Sequence, residues 1–178
     1  MRRASRAAIS VVVVVLAAVD LSLAAAAPAQ ASPPVPGPVQ KPAALTIRAS
    51  GSFEVKLTPQ APDDKDEGST LGRMSLEKQY HGDLEATARG EMLTAMTGVK
   101  GSGSYVAIER VKGALHRRSG SFVLQHIGTM TRGEPQLSIS VVPDSGAGQL
   151  VGIAGRMTIT IAEGKHSYQL TYTLPETP

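Results

Sequence analysis

The feature that most constrains this chain is a strict two-residue alternation of apolar and polar side chains, repeated along everything after Pro42. Phe53-Glu54-Val55-Lys56-Leu57, Leu137-Ser138-Ile139-Ser140-Val141, Met157-Thr158-Ile159-Thr160-Ile161 and Leu170-Thr171-Tyr172-Thr173-Leu174 all follow it. A two-residue period places successive side chains on opposite faces of an extended strand, one dry and one wet. The threonine and β-branched content suits strands as well. No stretch after Ala43 carries a convincing helical period, so this region reads as all-β.

Breaks in the alternation divide it into about eight strands, near 44–57, 70–81, 83–96, 103–115, 119–131, 135–143, 148–162 and 166–174. The breaks at His81-Gly82-Asp83, Gly101-Ser102-Gly103, Arg117-Arg118-Ser119-Gly120, Arg132-Gly133-Glu134-Pro135, Asp144-Ser145-Gly146 and Glu163-Gly164-Lys165 all hold turn residues. Asp63 to Gly68 reads as a solvated acidic loop whose spacing fits no calcium loop. Short connections favour antiparallel neighbours, and eight such strands remove their exposed edges by closing. The expectation is a single closed antiparallel β-barrel over residues 43–178, with room inside for side chains or one small ligand.

Residues 1–31 have the layout of a secretory signal. Arg2, Arg3 and Arg6 precede an apolar run, and Ala29-Gln30-Ala31 supplies small residues for cleavage between Ala31 and Ser32. An uncleaved anchor is the alternative, against which Asp20 counts, because a charge in the apolar span is costly. The expected destination is therefore secreted and extracellular, by general secretion, with no stable membrane span after cleavage. Residues 32–42 contain five prolines in eleven positions and form a proline-rich linker that excludes helix and sheet.

Composition removes several function classes. No cysteine is present, so disulfides and thiolate zinc sites are excluded, and no asparagine, so N-glycosylation is too. Two of the three net positive charges lie within residues 1–31, leaving +1 on the rest. With aromatics at 3% and no tryptophan, nucleic acid is not an expected partner. Phosphate-loop, dinucleotide and nucleophile-elbow motifs are absent, and no cofactor is expected. The four histidines are scattered, whereas a metal site needs convergent ligands, so none is expected either.

The strings Gly72-Arg-Met-Ser-Leu-Glu-Lys-Gln-Tyr-His-Gly-Asp-Leu, Ala88-Arg-Gly-Glu-Met-Leu, Tyr105-Val-Ala-Ile-Glu-Arg-Val-Lys-Gly-Ala-Leu, Gly120-Ser-Phe-Val-Leu-Gln-His and Val141-Val-Pro-Asp-Ser-Gly resemble a bacterial family of unknown function. That family has a barrel similar to plant allene oxide cyclase. The resemblance spans most of residues 44–174 and implies the same closed barrel. It implies no activity, since fold does not carry function, and no cyclase motif is present.

Parity selects the inward side chains. It turns in Met74, Leu76, Lys78 and Tyr80, then Leu84, Ala86, Ala88, Gly90 and Met92, and finally His166, Tyr168, Leu170, Tyr172 and Leu174. The stretch Tyr105–Thr131 is apolar on both faces. If its aromatics point inward, so do Glu109 and His126; a single bulge would reverse this. The candidate ligand-binding set is then Lys78, Tyr80, Tyr105, Glu109, His126, Tyr168 and Tyr172, with Glu109 and His126 as candidate proton-transfer groups. A Lys78–Glu109 ion pair beside a hydrogen-bonded core histidine is the purely structural alternative. The leading functional expectation is a non-enzymatic barrel that binds a small apolar molecule. The alternatives are an isomerase or cyclase using Glu109 or His126, and an interaction module using the outer face of the central hairpin. On that face Val106, Ile108, Val123 and Ile127 would meet a second copy of the chain, as a homo-oligomer, or the chain's own arm.

Overall fold

The computed structural model describes residues 45–60 and 64–175. The expected signal, its cleavage point and the linker at 1–42 lie outside the described residues. Ten strands follow one another: β1 (Ile47–Pro59), β2 (Asp64–Asp66), β3 (Ser69–Gly82), β4 (Leu84–Thr97), β5 (Gly103–Leu115), β6 (Arg118–Thr131), β7 (Glu134–Val141), β8 (Ala147–Gly148), β9 (Ala154–Ala162) and β10 (Lys165–Thr173). Among the described residues there is no helix.

Eight of these strands make the expected barrel. The order runs β1-β10-β9-β7-β6-β5-β4-β3, and β1 also pairs with β3, which closes the sheet. Every pairing is antiparallel. The two remaining strands are short: β2 pairs with β3 and β8 with β6.

Two expectations are corrected. The acidic loop is partly a strand, because Asp64–Asp66 folds against Ser69–Leu71 through a turn at Gly68. The strand expected from residue 148 begins only at Ala154. Between them, Gly148 and Gly152 hold positive φ, and successive turns link Leu150 to Ala147, Val151 to Gly148 and Ile153 to Leu150. The apolar run Leu150-Val151-Gly152-Ile153 is therefore a folded plug, with Leu150 and Ile153 buried.

The β5–β6 hairpin also turns earlier than its glycine suggests. Leu115 pairs with Arg118, so His116 and Arg117 form the turn, both at positive φ. Such a two-residue turn ordinarily favours asparagine and glycine. Here the His116 side chain is anchored, with Nδ1 2.8 Å from the Tyr172 hydroxyl, and its backbone N–H donates to the Asp83 carbonyl.

The core occupies the end of the barrel nearest that turn. Phe122, Leu124, Leu84, Leu115, Val111, Tyr80, Tyr172 and Leu170 pack there with Leu150 and Ile153. The opposite end is splayed. β7 and β9 pair only through Ile139–Met157 and Ser140–Arg156, although both strands continue outward.

Candidate functional site

The inward face of β5 and β6 carries the site. The register sets Ala107 opposite His126 and Glu109 opposite Leu124, with no bulge between. Tyr105, Ala107 and Glu109 therefore share the lumen side with Phe122, Leu124 and His126, and Val106, Ile108 and Ile127 are exposed outside. Glu109 and His126 are the two buried polar or charged residues of the described chain, at 0% and 3% exposure.

Glu109 is the centre of the cluster. Its Oε1 accepts hydrogen bonds from Lys78 Nζ at 3.0 Å, the Tyr80 hydroxyl at 2.9 Å and His126 Nε2 at 3.0 Å. Lys78 Nζ also reaches the Tyr80 hydroxyl at 3.4 Å and stands over the Phe53 ring, 5.0 Å from its centroid. Gly90 lies directly opposite Glu109 on β4. A Cβ there would come within 2.6 Å of the Glu109 Cα, so glycine permits the close approach of the two strands.

Lys78 and Glu109 form an ion pair within the cluster. Burial pushes the Glu109 carboxyl up, but the His126 hydrogen bond and the Lys78 charge outweigh it and hold it below its ordinary value. It is a carboxylate, so His126 Nε2 carries the shared proton. Burial, then the neighbouring Glu109 charge, drive the Tyr80 hydroxyl far above its ordinary value, so it remains a donor. One atom is left over: Glu109 Oε2 is buried and has no hydrogen-bond partner.

Above the cluster the lumen opens into a cavity of about 280 Å³. Met92, Thr94, Met96, Tyr105, Met130 and Leu137 line it. Its rim is stitched where the Gly133 N–H donates to the Gly101 carbonyl and the Arg132 N–H to the Ser102 hydroxyl. Tyr105 links the cavity and the cluster. It lines the cavity, its ring lies against Gly128, and burial followed by the Glu109 charge raises its hydroxyl pKa.

The structure thus brings Lys78, Tyr80, Glu109 and His126 together, with Tyr105 next to them. Tyr168 packs the edge of its ring against Tyr80, 5.5 Å between centroids, but its hydroxyl, like that of Tyr172, is engaged elsewhere. The Tyr168 hydroxyl accepts from the Leu84 N–H at 2.9 Å and donates to the His81 carbonyl at 3.3 Å. The Tyr172 hydroxyl is held by His116. The candidate ligand-binding set omits Phe53 and the methionines of the cavity, although parity turns Met92 inward and Phe53, Met96 and Met130 lie at inward-facing positions of alternating strands. Among the described residues, no three histidine, aspartate or glutamate side chains are placed to hold a metal ion.

Comparisons with known proteins agree with the fold. The family model described as "Protein of unknown function (DUF3224)" matches residues 49–172. A crystal structure of a protein with unknown function from that family, from Shewanella oneidensis MR-1, is 50% identical to this chain, with a TM-score of 0.71. The match covers 75% of this chain and 100% of that one. No curated protein matches.

Proposed function

This chain belongs to the DUF3224 family of proteins of unknown function, and we propose that its barrel binds a small, largely apolar molecule in the open end of the lumen, without catalysing a reaction. The observation that carries this reading is the buried, half-satisfied Glu109 carboxylate beneath an apolar cavity. Concave, mostly apolar space with a few placed polar groups is the usual form of a small-molecule site. Its methionines suit such a role, being flexible enough to fit around an irregular guest.

The non-enzymatic half of the proposal follows from the same geometry. A carboxylate that accepts three donors, with its pKa lowered, is a weak base. The His126 nitrogen that meets Glu109 is occupied by that bond. The expected export signal would make the ligand one met outside the cytoplasm. Mass spectrometry of the protein purified natively from its source should detect a co-purifying small molecule, and Glu109→Gln and His126→Ala should reduce its retention. Unchanged retention in both variants would remove the site assignment.

A second reading rests on a separate observation. On the outer face Leu93 pairs with Val106 and Val106 with Ile127, and these three and Ile108 are about half exposed. That row suits a protein contact. Ile108→Asp would abolish self-association if this face joined two copies.

A further inference from the structure

The ligand's head group can be specified further, on the premise that the lumen is the binding site proposed above. Glu109 Oε1 is saturated by Lys78, Tyr80 and His126, and Oε2 is buried without a partner. A buried acceptor left unpaired is costly, so a donor brought to Oε2 gains more than it would in water. Three kinds of head group can be compared there. A carboxylate would meet the Glu109 charge, and the cation beside it, Lys78, is already engaged by Glu109 and Tyr80. An ammonium would become a second cation on one carboxylate and would also have to leave water. A neutral O–H or N–H donor carries neither penalty.

Glu109 is fully buried and does not itself line the cavity, so a head group must pass the cavity's inner wall to reach that oxygen. Met92, on that wall, pairs with Ala107, two residues from Glu109, or about 7 Å along the strand. Tyr105 is the aromatic residue of the cavity lining. A Cβ at Gly128 would stand 2.1 Å from the Tyr105 ring, so glycine provides the recess in which that ring rests.

We infer that the barrel selects a neutral amphiphile, whose apolar body fills the methionine-lined lumen and whose single hydroxyl or N–H donates to Glu109 Oε2, and that it rejects carboxylate analogues of the same body.

Calorimetric titration of the purified protein at neutral pH with 4-ethylphenol, its methyl ether and 4-ethylbenzoate tests this. The phenol, neutral under these conditions, should bind about tenfold more tightly than either analogue, as expected for one hydrogen bond to a buried charge. Glu109→Gln should narrow the gap between phenol and benzoate. Equal binding of phenol and ether, or tighter binding of the benzoate, would overturn the donor rule and leave the lumen as a ligand site. Binding of none of the three would overturn both. The wild-type comparison decides the matter even if the variant does not fold.

Discussion

At one end of the barrel the inward side chains are sealed from water, and at the other, side chains of the same parity meet it. Phe122, Leu124 and Leu115 are fully buried, whereas Met96, Met130, Leu137 and Ile161 are 54%, 45%, 45% and 65% exposed. The strands are equally regular at both ends. The difference lies in what covers them. Residues 142–153 fold back at the first end and drive Leu150 and Ile153 into the core. The second end carries β2 and the turns at Gly101 and Arg132–Gly133, which are tied to each other, and a seam where β7 and β9 diverge. Closing a sheet removes its edges, but it does not fill the space inside. Here the polar cluster around Glu109 lies between the filled end and the open one, which is why it can be buried and still adjoin a cavity.

This contrast can be broken by experiment. The largest expected effect is at the sealed end, where Phe122→Ala should cost about 3–5 kcal/mol in denaturant unfolding. Met130→Ala, an inward residue at the open end, should cost less than about 1 kcal/mol, because half of its surface is already in water. Similar losses would mean that the two ends are not packed differently.

The next effect sharpens the boundary between the ends. Lys78→Met would leave Glu109 buried without its cation and should cost about 3 kcal/mol. Lys78→Met combined with Glu109→Gln should recover much of that loss. A double variant as unstable as the sum of the singles would show that the two groups do not act as a pair.

The smallest effect is read from acidity. The folded Glu109 carboxyl lies below its ordinary value, so its stabilising contribution is complete above the ordinary carboxylate pKa. That contribution is lost as pH falls through the lower, folded value. Wild-type stability should therefore fall more steeply than that of Glu109→Gln in the acid range. Parallel curves would show that Glu109 is no better stabilised in the folded protein than in the unfolded one.

Much of this was legible in the residues. Alternation placed eight long strands, and parity turned Lys78 and Tyr80 inward, with Glu109 and His126 beside them on the condition that the aromatics of Tyr105–Thr131 face the lumen. The miss at 148–153 has a local cause: Leu150-Val151-Gly152-Ile153 is as apolar as a buried strand, and it is the positive φ of Gly148 and Gly152, with the turns they allow, that sets it apart. The turn at His116 and Arg117 was hidden because neither residue favours that backbone; the contacts of His116 with Tyr172 and Asp83, remote in sequence, hold it. Tyr168 does reach the cluster through its ring against Tyr80, whereas Tyr172 was grouped with it because parity gives the face of a strand and not the height along the barrel.

The sequence by itself determined which side chains share a face of each strand, because a two-residue period is a property of each strand alone; for β5 and β6, apolar on both faces, the bulge-free register decided which face turns inward. The tertiary structure decided which of them meet. Stagger between paired strands brought Lys78 of β3 to Glu109 of β5, and carried Tyr172 of β10 away to His116. It also decided which end was filled, since that depends on a loop folding back over one rim, and no alternation within a strand records where a distant loop will lie.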